Sequence, residues 1–415
     1  MSERRSPVMS GRQLLIGMAL VVVLCVLIAV TMYLVLYGPT MAEQRALARH
    51  ADAVDWTETE EIGPDWLVEL TDWLDDMADW LDLAPPERVT QLILVDGATG
   101  DDLGVLEAMS QLEWLVMMEA ALSDDVMAMI GDMASLEMLD ITGARLAPSG
   151  LAALGESTSL TDLCLDGTSV THDDLAALRT LKNLEILSLI DCRVGGEGFS
   201  VLRHLTGVAD LDLEGTDIRD ADMVTLGELT QLETLYLNDT KITGRQIEEL
   251  GNAKKLAYLL LNDSAIEDQF LDGLAQLRSL KSVRLDGTDA GDVAATALSG
   301  LAGLEFVFMS RTHITEAGLA ALATLPELVI LRIEENNLGE GALVALRGCK
   351  KLHALSIDQK DLTDDAIEAL AQIGSLGSLT IYGGVFADDE VHALERALPR
   401  VEISAVGRFP GGPRP

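Results

Sequence analysis

The sequence predicts an α/β solenoid, a stack of short strands each followed by a short helix. Three observations carry this. The apolar phrase L-x-x-L-x-L opens at Leu112, Leu136, Leu160, Leu184, Val208, Leu232, Leu256, Leu280, Leu304, Leu328, Leu352 and Leu376, each start 24 residues after the last. Within the phrase Leu163 and Leu165 alternate with Asp162, Cys164 and Asp166, the period of a strand with one buried face. Beyond it the spacing changes: Leu175, Leu178 and Leu181 recur every three residues, closer to a helical stripe. A fixed period of this size belongs to chains whose units bury their apolar faces only against their neighbours.

Residues 1–13 form a short basic tail, with Arg4, Arg5 and Arg12 against Glu3. Residues 14–37 carry no charge, and a helix of that length is ~36 Å long, enough to span ~30 Å of hydrocarbon. Tyr33 and Tyr37 fall where interfacial aromatics belong. The competing reading is a cleaved signal peptide, whose apolar region is usually ~7–15 residues. Arginines before the span, and Asp and Glu after it, place the N-terminus in the cytoplasm and the rest on the exported side. The expectation is a single-pass protein of the cell membrane.

Residues 38–63 read as a polar, acidic spacer off the bilayer. Residues 64–88 read as an amphipathic helix opened by Pro64 and closed by Pro85 and Pro86. Trp66, Leu70, Trp73, Met77 and Trp80 make its apolar stripe. One reading is a cap over the open end of the solenoid core; another is a self-association or partner helix. A membrane-lying helix fits least, because anionic headgroups repel its acidic face.

Residues 89–406 hold the repeats. Thr171 with Asp174, and Thr243 with Gln246, have the spacing of a capping box at a helix start. Position nine of the unit is usually a hydroxyl, at Thr168, Thr216, Thr240, Ser264, Thr288 and Thr312, with Cys192 and Asn336 as exceptions. There it can bond to backbone where the strand ends. Val170, Ile218, Ile242, Ile266 and Ile314 add a further apolar anchor two residues on. These features resemble the leucine-rich repeat, L-x-x-L-x-L-x-x-N/C-x-L, with Thr where the family signature has Asn. That looks like a bacterial, membrane-anchored subclass with 24-residue repeats. The resemblance implies a right-handed α/β horseshoe, parallel strands on the concave face, and no particular activity. Two irregular end strands, Val89-Leu92-Leu94 one residue out of phase and Leu398-Val401-Ile403 two residues early, bring the expected count to 14. Helices need more room than strands, so the strands should line the inside of the bend. Residues 407–415 read as a disordered tail.

The candidate surface is the strand face not filled by leucine. Read in order, it begins apolar (Trp114, Met118, Met138) and becomes acidic (Asp140, Asp162, Asp166, Asp210, Asp212, Glu214). It then turns aromatic, at Tyr236, Tyr258, Phe306 and Phe308, with Arg284 and Arg332 nearby. The acidic group fits a solvated face, a dock for a basic segment of a partner, or a divalent-cation site. Phe306 and Phe308 should be exposed, as interface anchors or as a dry patch without a partner. The assigned partner-binding residues are Trp114, Tyr258, Phe306 and Phe308 as apolar anchors, with Asp162, Asp166, Asp210, Asp212 and Glu214 as the charged component.

With 29 Lys and Arg against 68 Asp and Glu, the net charge is −39, which all but excludes nucleic acid as a direct partner. No G-x-S-x-G, phosphate-binding glycine loop, C-x-x-C or histidine pair with metal-ligand spacing occurs. No catalytic residue, metal or cofactor is assigned. Cys164, Cys192 and Cys349 are expected to stay unpaired. The function expected is protein–protein recognition or scaffolding. The alternative is a structural envelope protein with an acidic, cation-managing surface.

Overall fold

The computed structural model describes residues 54–60, 88–94, 97–147, 149–196, 198–383 and 388–406. The basic tail, the apolar span at 14–37, the amphipathic segment up to residue 87 and the C-terminal tail lie outside these residues. Among the described residues no helix is long and apolar enough to cross a membrane.

Among the described residues one sheet of fifteen strands runs from Val54 to Val406. β1 (Val54–Glu60) pairs antiparallel with β2 (Arg88–Leu94). From β2 onward every pairing is parallel. Three-residue strands at Trp114–Val116, Met138–Asp140, Asp162–Cys164, Ile186–Ser188, Asp210–Asp212, Thr234–Tyr236, Tyr258–Leu260, Ser282–Arg284, Phe306–Phe308 and Ile330–Arg332 follow in chain order. Ala354–Asp358, Ser378–Tyr382 and Glu402–Val406 complete it. From Trp114–Val116 onward the partners are offset by 24 residues, as in Asp210↔Thr234↔Tyr258, while Leu92 pairs with Leu115 at an offset of 23. The 14 strands expected of the repeats are all present, and β1 is an addition to them.

The leucines explain the stacking. Leu139, Leu163, Leu187, Leu211, Leu235 and Leu259 occupy one position of the phrase, each 1% exposed or less. They belong to one apolar cluster that runs without a break from Val89 to Leu398. Position nine does what its chemistry predicts. The hydroxyls of Thr168, Thr216, Thr240, Thr288 and Thr312 donate to the carbonyl three residues back at 2.6–2.8 Å. Ser264 Oγ lies 3.2 Å from Thr240 Oγ1, and the Thr312 N–H donates to Asn336 Oδ1 at 3.0 Å, so the column is linked between repeats. The backbone then turns left-handed at position eight, as at Asp263 (φ 54°), Arg311 (φ 53°) and Glu335 (φ 58°).

The outer elements differ from the expected two-turn α-helices. Most are 3-10 helices, such as Asp174–Thr180 and Ile247–Asn252. A three-residue spacing like that of Leu175 and Leu178 matches three residues per turn better than 3.6. α-Helices form at Asp124–Gly131, Glu316–Leu322 and Asp364–Ala371, where Ser123, Thr315 and Thr363 accept a hydrogen bond from the first turn. The capping boxes also differ. Asp174 accepts from the N–H and hydroxyl of Thr171, which is half of the box. Thr243 makes no box with Gln246: its N–H and hydroxyl go to Asp220 of the preceding repeat at 2.9 and 2.7 Å. Asp268 and Asp292 cap the next repeat in the same way.

Both ends of the sheet show corrections. Residues 54–60 lie in the segment read as a spacer, yet they form β1. A sheet edge leaves unpaired N–H and C=O groups, and Val54, Thr57 and Thr59 are residue types that favour strands. At the other end Leu379 pairs with Ile403, so the last strand keeps the 24-residue register instead of starting two residues early. The main-chain ladder sets this register: Glu402 N–H donates to the Gly377 carbonyl at 2.8 Å.

Candidate functional site

Positions three and five of the phrase point away from the leucine core and build the open face of the sheet. Trp114 stands on it with 47% of its surface exposed. Tyr258 is six strands further along, roughly 29 Å away at ~4.8 Å per strand. The structure therefore separates Trp114 from the other aromatic candidates.

The acidic candidates lie in the strands between. Asp162 and Asp210 share a row, with exposed Ile186 between them. Asp210, Asp212 and Glu214 follow one another on one strand and the turn after it. All five acidic candidates are half-buried. Partial burial raises the Asp212 carboxyl from the ordinary 3.8 to about 6, and Glu214, Asp166 and Asp210 push it the same way. Burial also raises Asp210. Among the described residues no three His, Cys, Asp or Glu side chains converge as metal ligands.

Asp166 and Glu214 turn out to have internal duties that the sequence reading missed. At position seven, side-chain acceptors hold the N–H of the same position in the next repeat. Asp166 Oδ1 accepts from Ile190 N at 2.9 Å, Asn238 Oδ1 from Asn262 N at 2.9 Å, and Asn262 Oδ1 from Asp286 N at 3.0 Å. Asp286 Oδ1 accepts from Ser310 N at 2.7 Å. Glu214 joins by accepting from Asn238 Nδ2 at 2.8 Å. The signal was the recurrence of Asp and Asn every 24 residues, which reads as side chains turned to solvent until the strands are stacked.

The aromatic group is the best-formed feature of the face. Tyr236, Tyr258, Leu260, Arg284, Phe306 and Phe308 line a depression of about 550 Å³. Tyr258 is 42% exposed at its rim. Phe306 is half-buried, and Phe308 is only 9% exposed, contrary to the expectation that both stand free. The Arg284 guanidinium explains this, lying over the Phe308 ring at 4.4 Å from its centroid. Phe308 is therefore the floor of the depression, and Tyr258 with Phe306 are the surfaces a partner can reach.

No protein-family model matches the sequence, and no curated protein is found as a sequence relative. Solved structures share the architecture. An internalin from Listeria monocytogenes superposes with a TM-score of 0.58 at 19% identity, over 82% of this chain and 95% of that one. A leucine-rich repeat protein from Leptospira interrogans gives 0.50 at 16% identity, over 87% and 98%. The fold is that of a leucine-rich repeat protein. The receptor in the TLR13–ssRNA13 complex gives 0.55 at 18% identity over 74% of this chain, which spans 48% of that receptor. Identities this low show the leucine-rich repeat architecture alone. What this chain binds must come from its own surface.

Proposed function

We propose that this leucine-rich repeat protein recognises a protein partner on the open face of its sheet, held at the membrane by residues 14–37 with the repeats on the exported side. The anchoring rests on the uncharged length of that segment and on the arginines before it. The recognition rests on one observation above the rest: Tyr258 stands exposed beside Phe306 at a preformed apolar depression, next to half-buried acidic strands. Aromatic anchors ringed by polar groups are the usual core of a protein–protein contact. One structural neighbour was solved in complex with a single-stranded RNA. Here 68 acidic side chains against 29 basic ones repel phosphate, so a protein partner fits better.

The experiment is cross-linking in intact cells with the anchored protein as bait, comparing wild type with a Tyr258→Ala, Phe306→Ala double variant. Loss of two aromatic anchors is expected to weaken capture of a specific partner by about tenfold or more. Melting temperature should change little, because neither residue belongs to the leucine core. Undiminished capture by the folded variant would remove the reading.

A further inference from the structure

The position-seven ladder breaks at Ile190 and again at Ser310, and a polar hollow of about 300 Å³ lies at the second break. From Asn238 to Asp286 each position-seven side chain is long enough to reach the next repeat. Ser310 is not, and its hydroxyl finds no hydrogen-bond partner among the described residues. The next position-seven residue, Glu334, is 4% exposed, and its Oε2 is likewise unpartnered. Its Oε1 is held by Arg332, 2.6 Å away, whose own Nε has no partner. Ser310, Asp286, Glu334 and Arg332 line the hollow, with Asp263 and Arg311 paired at the rim at 3.3 Å. Buried polar atoms without partners are costly, and three of them on residues that line one hollow mark it as a place for added donors and an acceptor.

The charges decide what kind of group fits. Arg332 offsets Glu334 and Arg311 offsets Asp263. Asp286 and the rim residue Glu335 remain, so the hollow is net negative. A planar group with several N–H donors suits Glu334 Oε2, Ser310 Oγ and Asp286 together, whereas an ammonium is a single point charge. Arg332 Nε asks in addition for an acceptor such as a main-chain carbonyl. We propose that this hollow binds an arginine side chain of the protein partner, with the guanidinium on Glu334 and Ser310. The proposal rests on the protein-recognition reading for the source of the arginine. Phe308 pairs in register with both Arg284 and Arg332, so the hollow adjoins the aromatic depression.

The test uses the full-length protein titrated with N-acetyl-L-argininamide, which carries both guanidinium and carbonyl groups. Saturable binding is expected, with the uncharged isostere N-acetyl-L-citrullinamide at least about tenfold weaker. Glu334→Gln should lose about tenfold. Ser310→Asn should abolish binding while leaving the fold intact, because the longer side chain continues the ladder and occupies the place of the guanidinium beside Glu334. Phe306→Ala should bind the probe as wild type does, so a failure of the aromatic surface is separable from a failure of this site. Absence of binding to wild type, equal binding of the citrulline probe or of N-acetyl-L-lysinamide, or unchanged binding by Ser310→Asn would each overturn the proposal.

Discussion

Asp212 concentrates the electrostatic cost of the open face in one side chain. Burial and three neighbouring carboxylates hold its acid up at about 6, against an ordinary 3.8. The sign follows from proton counting. Between those two values the folded protein binds the proton more tightly than the unfolded chain. The carboxylate therefore costs stability at neutral pH, and protonation relieves the cost as pH falls through about 6. Asp212→Asn keeps an acceptor for the Glu214 N–H, which Asp212 Oδ1 now binds at 2.9 Å, and removes the charge. The expected gain at pH 7.5 is about 1–2 kcal/mol once partial exposure is allowed for. It should shrink toward zero at pH 4. Denaturant unfolding at the two pH values checks this, and an equal or smaller stability of the variant at pH 7.5 refutes it.

At the scale of elements, β1 is the least expected part of the molecule and the easiest to test. It covers the free edge of β2, which is itself the first of a long parallel run. Deleting residues 54–60 should bare that edge and drive edge-to-edge association. Light scattering is expected to show dimers or larger species for the deletion at concentrations where the intact protein is monodisperse; a monodisperse deletion counts against the capping role. The sequence hid β1 because its acidic residues outweighed a short alternation of Val54, Trp56 and polar neighbours. Elsewhere the fold was legible, since leucines at a strict 24-residue spacing leave one arrangement that buries them all. The site was legible in part. Its face followed from strand alternation, but the burial of Phe308 depends on Arg284 from the neighbouring strand. The ladder that engages Asp166 and Glu214 exists only between repeats. The 3-10 helices were written in the spacing of Leu175 and Leu178, which an α-helical reading rounds up.

The whole molecule balances one continuous apolar core against a charge of −39. Salt acts on these two terms in opposite ways for different charge arrangements. If ion pairs stabilised the fold, screening would weaken them. Apart from Arg332–Glu334 and Lys360–Asp358, whose carboxylates are buried, those present do not have that strength. Arg203–Glu228 at 3.7 Å, Lys255–Glu233 at 3.9 Å and Lys281–Glu305 at 3.8 Å all join largely solvated groups, and such pairs contribute ~0–1 kcal/mol each. The excess of acidic over basic residues has no such partners, and its mutual repulsion is reduced once the screening length falls below ~10 Å. The melting temperature should therefore rise by a few degrees between ~10 mM and ~300 mM salt. Sodium, potassium and tetramethylammonium chloride should act equally if screening is the cause. A fall in melting temperature would mean that the ion pairs dominate. A rise confined to one cation would mean that the acidic strands around Asp210 and Asp212 bind that ion, and would favour the alternative, cation-managing reading of this surface over protein recognition.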